Sequence, residues 1–233
     1  MKEKKFIKNK VVYMNMSGVY DGNEGVLDCR DITGTNCYCD DAAAEEIRKR
    51  IQTLPYEGVH FLDSGNYHYL SYFWMEKIDV DFALVLLDHH TDMQPPGFGD
   101  ILSCGGWIFN ARRNLKHLKR VYLVDVAEHL VKELGELPED VVYVDRQQAL
   151  DTDFGDLPVY LSIDKDVLSA DEVKTDWDQG DMTLPEMLKI LDVVVSGDLL
   201  GVDICGEIKD NEGIEVTESQ RNVNLRLLEL FCD

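Results

Sequence analysis

Positive charge is scarce in this sequence. Its 233 residues carry 23 Lys and Arg against 45 Asp and Glu, a formal net charge of -22. So acidic a surface repels phosphate, which makes nucleic acid and anionic membranes poor partners; it suits small cations and metal ions. Apolar runs of membrane-spanning length are missing. The first ten residues, MKEKKFIKNK, are basic but lack the apolar core of a secretion signal, so the sequence reads as cytoplasmic. In that compartment Cys29, Cys37, Cys39, Cys104, Cys205 and Cys232 are expected as free thiols. Cys37-Tyr38-Cys39 lacks the two-residue spacing of a zinc knuckle or a thioredoxin-like site. Repeats, low-complexity tracts and obvious linkers are also absent. A 45% hydrophobic content excludes a disordered chain, and the length suits one α/β domain over residues 1–233.

Short apolar runs do recur: Val11–Met16, Gly58–Leu62, Phe82–Leu87, Val121–Val126, Val141–Val144, Val159–Ile163 and Leu199–Ile204. Their hydrophobicity is continuous rather than alternating, which predicts strands buried on both faces of a parallel sheet. Helical patterns lie between several of them. Asp41–Leu54 is one; Thr183-Leu184-Pro185-Glu186 is a capping box that opens a helix to about Val195. Thr217-Glu218-Ser219-Gln220 reads as a second box, opening a last helix that carries Leu225, Leu228 and Phe231. The alternation predicts a doubly wound, three-layer α/β/α domain with a mainly parallel sheet. Val167–Met182 is acidic, without periodicity, and is expected as a loop leaving a strand end.

In such sheets the ligand site lies beyond the carboxyl ends of the strands. FALVLL is followed by Asp88-His89-His90-Thr91-Asp92, and an extended chain there would put 88, 90 and 92 on one side. VYLSI leads into Asp164-Lys165-Asp166, and GVHFLD is followed by Gly65-Asn66-Tyr67-His68. Paired Asp at this spacing is cheap in so acidic a chain, since 79/81, 151/153 and 176/178 show it too. Position separates the candidates: these clusters follow buried strands, where a bare carboxylate is costly. Four Asp and two neutral His would nearly balance two divalent cations and one hydroxide. Hard oxygens mixed with imidazole suit Mn²⁺, with Zn²⁺, Fe²⁺, Co²⁺ or Ni²⁺ as other candidates.

The three stretches together resemble the arginase/agmatinase, or ureohydrolase, family, whose Gly-Gly-Asp-His, DAHxD and SxDxD stretches supply six ligands to two Mn²⁺ ions. Gly65 and His68 match the first, Asp88 to Asp92 the second, and Ser162-Ile163-Asp164-Lys165-Asp166 the third. The resemblance spans about Phe61 to Glu207. It implies an arginase/deacetylase-like fold with His68 and Asp92 on one metal, His90 and Asp166 on the other, and Asp88 and Asp164 reaching both. Where arginine-cleaving members carry a histidine, this sequence has Cys104. The family's guanidinium-holding Glu falls in register with Gly206, one residue before Glu207, and its Asn-Pro is missing.

The expected reaction is hydrolysis of a C–N bond in a guanidino or amidino compound, by a hydroxide shared between the metals. Asp92 would hydrogen-bond that hydroxide and carry its proton to the leaving nitrogen. Glu207 would hold a small cationic substrate, or else is a surface acid. Cys104 is a buried small hydrophobe, a pocket wall or a nucleophile, in that order. Trp177 and Gln179, in the loop after Asp166, would touch substrate as the loop closes, or simply anchor it. The polar and thiol-rich stretch from Asp28 to Cys39 reads as a turn cluster or a pocket wall. Two other readings stand beside this one: hydrolysis of an amide or formimino C–N bond, and a non-catalytic metal-containing binding protein. The family's trimers and hexamers leave a homo-oligomer open.

Overall fold

The computed structural model describes residues 10–20, 22, 24–97, 99–208 and 217–232. Most of the basic N-terminal stretch therefore lies outside the described residues. Eight parallel strands form the central sheet: β1 (Val11–Asn15), β2 (Val26–Asp28), β4 (Val59–Phe61), β5 (Phe82–Leu87), β7 (Leu118–Val124), β8 (Val141–Val144), β9 (Val159–Asp164) and β10 (Leu199–Cys205). Their spatial order is β2-β1-β4-β10-β9-β5-β7-β8. A separate antiparallel pair joins β3 (Tyr38–Cys39) to β6 (Leu102–Ser103).

Continuous apolar runs became strands because both sheet faces are covered. Every residue of β5 and of β9 is buried. On one face Leu84 and Leu86 of β5 pack with Ile47 and Ile51 of α1 (Asp41–Ile51), Phe73 and Trp74 of α2 (Leu70–Met75), and Trp107 and Ile108 of α3 (Trp107–Asn114). The short α4 (Glu128–Glu133) lies on that side through Val131. On the other face Val85 and Leu87 meet Ala149 of α5 (Arg146–Ala149), Ile190 and Leu191 of α6 (Leu184–Val194), and Leu227 and Phe231 of α7 (Glu218–Phe231). This is the three-layer α/β/α arrangement expected. Among the described residues no helix is long and apolar enough to cross a membrane.

Three local expectations change. The Thr183 box is complete: its side chain accepts from Glu186 N while the Glu186 carboxylate returns to the Thr183 N–H. The Thr217 box is only half made, because the Gln220 amide is drawn elsewhere. The buried seam of α7 is Val223, Leu227 and Phe231, spaced by four, whereas Leu225 is 56% exposed. β7 begins three residues earlier than hydrophobicity alone predicts, since Lys119 and Arg120 reach outward from a paired backbone.

Candidate metal centre

His68, Asp88, His90, Asp92, Asp164 and Asp166 come together beyond the carboxyl ends of β4, β5 and β9. β9 lies beside β5, and β10 alone separates it from β4. His68 ends a short 3-10 turn, Gly65–Tyr67, just after β4. Asp63 builds that exit: in a left-handed conformation (φ 74°), its buried carboxylate accepts from Met16 N, Ser17 N and Ser64 N. The His68 ring is fixed from behind by Ser162 of β9, with Nε2 2.8 Å from Ser162 Oγ. Nδ1 then faces the acids, at 2.9 Å from Asp92, 3.3 Å from Asp88 and 3.6 Å from Asp164. Orienting one ring nitrogen so that the other is free is how ligand histidines are prepared.

A turn, rather than the strand pleat, brings Asp88, His90 and Asp92 together. β5 stops at Leu87, the His90 N–H donates back to Asp88 Oδ1 (2.6 Å), and Asp92 takes φ 48°. Trp107 Nε1 holds the Asp92 carboxylate at 2.5 Å. His90 Nδ1 lies 2.9 Å from Asp166 Oδ2, and the His89 N–H donates to Asp166 Oδ1 (3.0 Å). Asp166 sits in the 3-10 turn after β9, where its N–H donates to Asp164 Oδ1.

So many buried acids disturb one another's protonation. Burial, then Asp88, pushes the Asp166 carboxyl up to about 7. Burial, then Asp166, raises Asp164. Burial disfavours a charge on His90, yet its bonds to Asp166 and Asp88 win and push it up to about 11. His68 is likewise raised, with Cys205, Asp88 and Asp92 outweighing burial.

Donor atoms fall into three groups able to hold a metal ion, each within 4.8 Å of one another: His68, Asp88 and Asp92; Asp88, His90 and Asp166; and His68, Asp164 and Cys205. Asp88 stands in two of them. Its Oδ2 is buried and receives no hydrogen bond, an orphan that a cation would satisfy. From the sequence Cys205 is expected only as a free thiol, one residue past the apolar run Leu199–Ile204. Its Sγ lies 3.0 Å from Asp164 Oδ2. One layer beneath, His60 Nδ1 and the Tyr160 hydroxyl both meet Asp203 Oδ1 at 2.8 Å, with Trp74 stacked on His60.

The surrounding residues sort differently. Glu207 is not a surface acid. It is 1% exposed and its Oε1 lies 2.7 Å from Lys165 Nζ. Lys165, between two of the clustered acids in sequence, turns away from them to Glu207, Gln220 and Asn224. Cys104 is half-buried beside the centre, its thiol pushed up to about 12 by burial and then Asp92, which argues for thiol rather than nucleophilic thiolate. Gln179 braces its own loop: Nε2 donates to Leu168 O and Val173 O, and Oε1 accepts from Thr175 N. Trp177 is 43% exposed at the mouth, its Nε1 on Asn66 and its ring 6.2 Å from that of His90. A Cβ on Gly65 would stand 2.8 Å from Trp177 Cδ1, so that glycine makes room for the indole. The loop is closed at its base by the Leu168–Met182 bridge and tied to the centre by Gly180 N on Asp166 O. From the Asp28 to Cys39 stretch, Cys37 O accepts from Cys104 N beside the centre.

The fold is that of the arginase/ureohydrolase family, in a divergent form. Proclavaminate amidinohydrolase from Streptomyces clavuligerus superposes with a TM-score of 0.62 at 18% identity, over 82% of this chain and 70% of that one. Formimidoylglutamase from Bacillus subtilis gives 0.58 at 14% identity, over 80% and 66%. A hypothetical agmatinase from Burkholderia thailandensis gives 0.56 at 19% identity, over 81% and 63%. In sequence, an uncharacterized protein of Thermotoga maritima is 40% identical over 173 residues, which is 73% of this chain and 66% of that one. The chain thus spans just under two thirds of the length of that relative and of the agmatinase. No family model matches the sequence.

Proposed function

We propose that this protein, over a single domain of residues 1–233, is a hydrolase with a dinuclear divalent-metal centre that cleaves a C–N bond of a guanidino or amidino compound. One observation carries the reading: five buried or half-buried side chains of ligand type converge in two groups that share Asp88, whose own Oδ2 is an orphaned carboxylate oxygen, and Asp164 joins them through His68. The donors fit the ions. His68, Asp88 and Asp92 would hold one, Asp88, His90 and Asp166 the other, with Asp164 reaching both; the oxygen and imidazole donors suit Mn²⁺. Bound there, divalent ions supply a water of lowered pKa as nucleophile.

The rest falls to the chain. Ser162 fixes the His68 ring, and Trp107 fixes Asp92. Asp92 is the group to accept a proton from the attacking water and pass it to the leaving nitrogen. Trp177 covers the entrance and, with the acidic surface, favours a small planar cation. Glu207 takes no part in holding it, because Lys165 already neutralises that carboxylate.

That pairing favours a second reading, cleavage of a formimino or amide C–N bond, which needs no guanidinium-holding carboxylate. Metal content per chain decides the shared premise. After purification with Mn²⁺, mass spectrometry should find close to two ions in the wild type and a sharp fall in Asp164→Ala. Release of urea, ammonia or formamide across candidate substrates then separates the two readings. No bound metal in either protein would sink both, leaving a non-catalytic fold.

A further inference from the structure

The third group of donors differs from the other two by its sulfur. Cys205 ends β10 and is paired in register with Asp164, the last residue of β9. Both side chains point to the same sheet face, since parallel neighbours in register share their alternation. The thiol is completely buried, lies 3.0 Å from Asp164 Oδ2, and has its sulfur within 4.8 Å of a ligand nitrogen of His68. The chain is pressed close here: a Cβ on Gly206 (φ 91°) would stand 2.8 Å from Asp164 Oδ1. Cys205 belongs to the apolar cluster on that sheet face, but its sulfur has more than hydrocarbon beside it. It has a carboxylate and an imidazole there, on the side where the acids gather.

Resting on the metal-centre reading above, we infer that Cys205 is a sulfur donor to the half of the centre built on His68 and Asp164, which makes the two halves chemically unlike. Asp88, His90 and Asp166 offer only oxygen and nitrogen, a set open to Mn²⁺. Imidazole, carboxylate and thiolate offer nitrogen, oxygen and sulfur, a set that favours Zn²⁺ or Co²⁺ over Mn²⁺. As the ion enters, the thiol releases its proton to solvent and the sulfur lone pair forms the new bond. A protein of this kind would carry a mixed pair of ions when both kinds are available.

Cobalt is the probe. Co²⁺ added to the metal-free, full-length protein should produce the near-ultraviolet charge-transfer band of a cobalt–thiolate bond. The band should vanish in Cys205→Ser and Cys205→Ala and persist in Cys104→Ser. Exposed to equal Zn²⁺ and Mn²⁺, the wild type should retain one zinc; replacing Cys205 should lose that zinc and leave manganese content unchanged. Should both Cys205 variants fail to fold, the wild-type band and the Cys104→Ser control still decide. Cobalt that binds without the band, or a band that disappears with Cys104, overturns the role of Cys205 and leaves the hydrolase reading standing. Retention of neither cobalt nor manganese overturns both.

Discussion

Lys165 and Glu207 form an ion pair, 2.7 Å between Nζ and Oε1, in a place where neither side chain meets solvent. The lysine comes from the turn after β9 and the glutamate from just past β10, and Gln220 and Asn224 of α7 close the arrangement. Glu207 Oε2 is buried without a hydrogen bond, so the pair relies on Lys165 for its neutrality.

Removing one partner of such a pair strands the other. Lys165→Met alone, or Glu207→Gln alone, should lower unfolding free energy by about 3–5 kcal/mol, and Lys165→Met combined with Glu207→Leu should recover most of it. Urea denaturation of the two single variants and the double variant measures this. Were Glu207 a substrate-holding group, Glu207→Gln would raise KM and leave the urea midpoint in place.

Gly206 should tolerate no side chain. Its φ of 91° and the 2.8 Å approach of a Cβ to Asp164 Oδ1 predict that Gly206→Ala costs about 1–3 kcal/mol and moves a carboxylate of the candidate metal centre. Metal occupancy should fall along with stability. Full occupancy in a stable Gly206→Ala protein would contradict the geometry.

Trp177 sits at the mouth and is half in solvent, so its loss should matter little to folding. Trp177→Ala should shift stability by less than about 0.5 kcal/mol. A chelator should strip the metal faster from this variant, because the indole no longer stands beside His90 and Gly65. An unchanged stripping rate would mean that the indole does not guard the entrance.

The metal-free protein should lose stability as pH rises. Asp166 is held up at about 7 and His90 at about 11, whereas an unfolded Asp titrates near about 3.9 and an unfolded His near about 6.5. The folded chain therefore keeps protons that the unfolded chain has released, and each kept proton favours folding at lower pH. The loss runs from about 4 to about 7 through Asp166 and from about 6.5 to about 11 through His90. Melts in chelator at about pH 5, 7 and 9 should show a falling Tm, with a flatter profile once metal replaces the protons. A Tm that climbs with pH would contradict this arrangement of acids.

The strands buried on both faces were legible as unbroken apolar runs, and β5 and β8 begin and end where hydrophobicity says. The six clustered His and Asp were legible because each follows such a run. What lay beyond reach depends on distant chain. Lys165 turns away from its neighbouring acids because Gln220 and Asn224 arrive from α7, 55 and 59 positions later. That same arrival takes the Gln220 amide from the Thr217 cap. Cys205 hides among apolar neighbours until strand register sets it beside Asp164. Gln179 looks like a contact residue until its amide is seen spanning its own loop.

The order β4-β10-β9-β5 has a consequence for how the protein comes into being. Without β9 and β10 the other six strands fall into two separate ribbons, β2-β1-β4 and β5-β7-β8, with a gap two strands wide between them. β9 and β10, last of the eight in sequence, fill that gap and join the halves. His68 stands on one ribbon and Asp88, His90 and Asp92 on the other, so the donors meet only when the seam closes. The donor set of the proposed centre is therefore complete only in the finished sheet, and a chain ending before β9 would hold half of it on each of two separate ribbons.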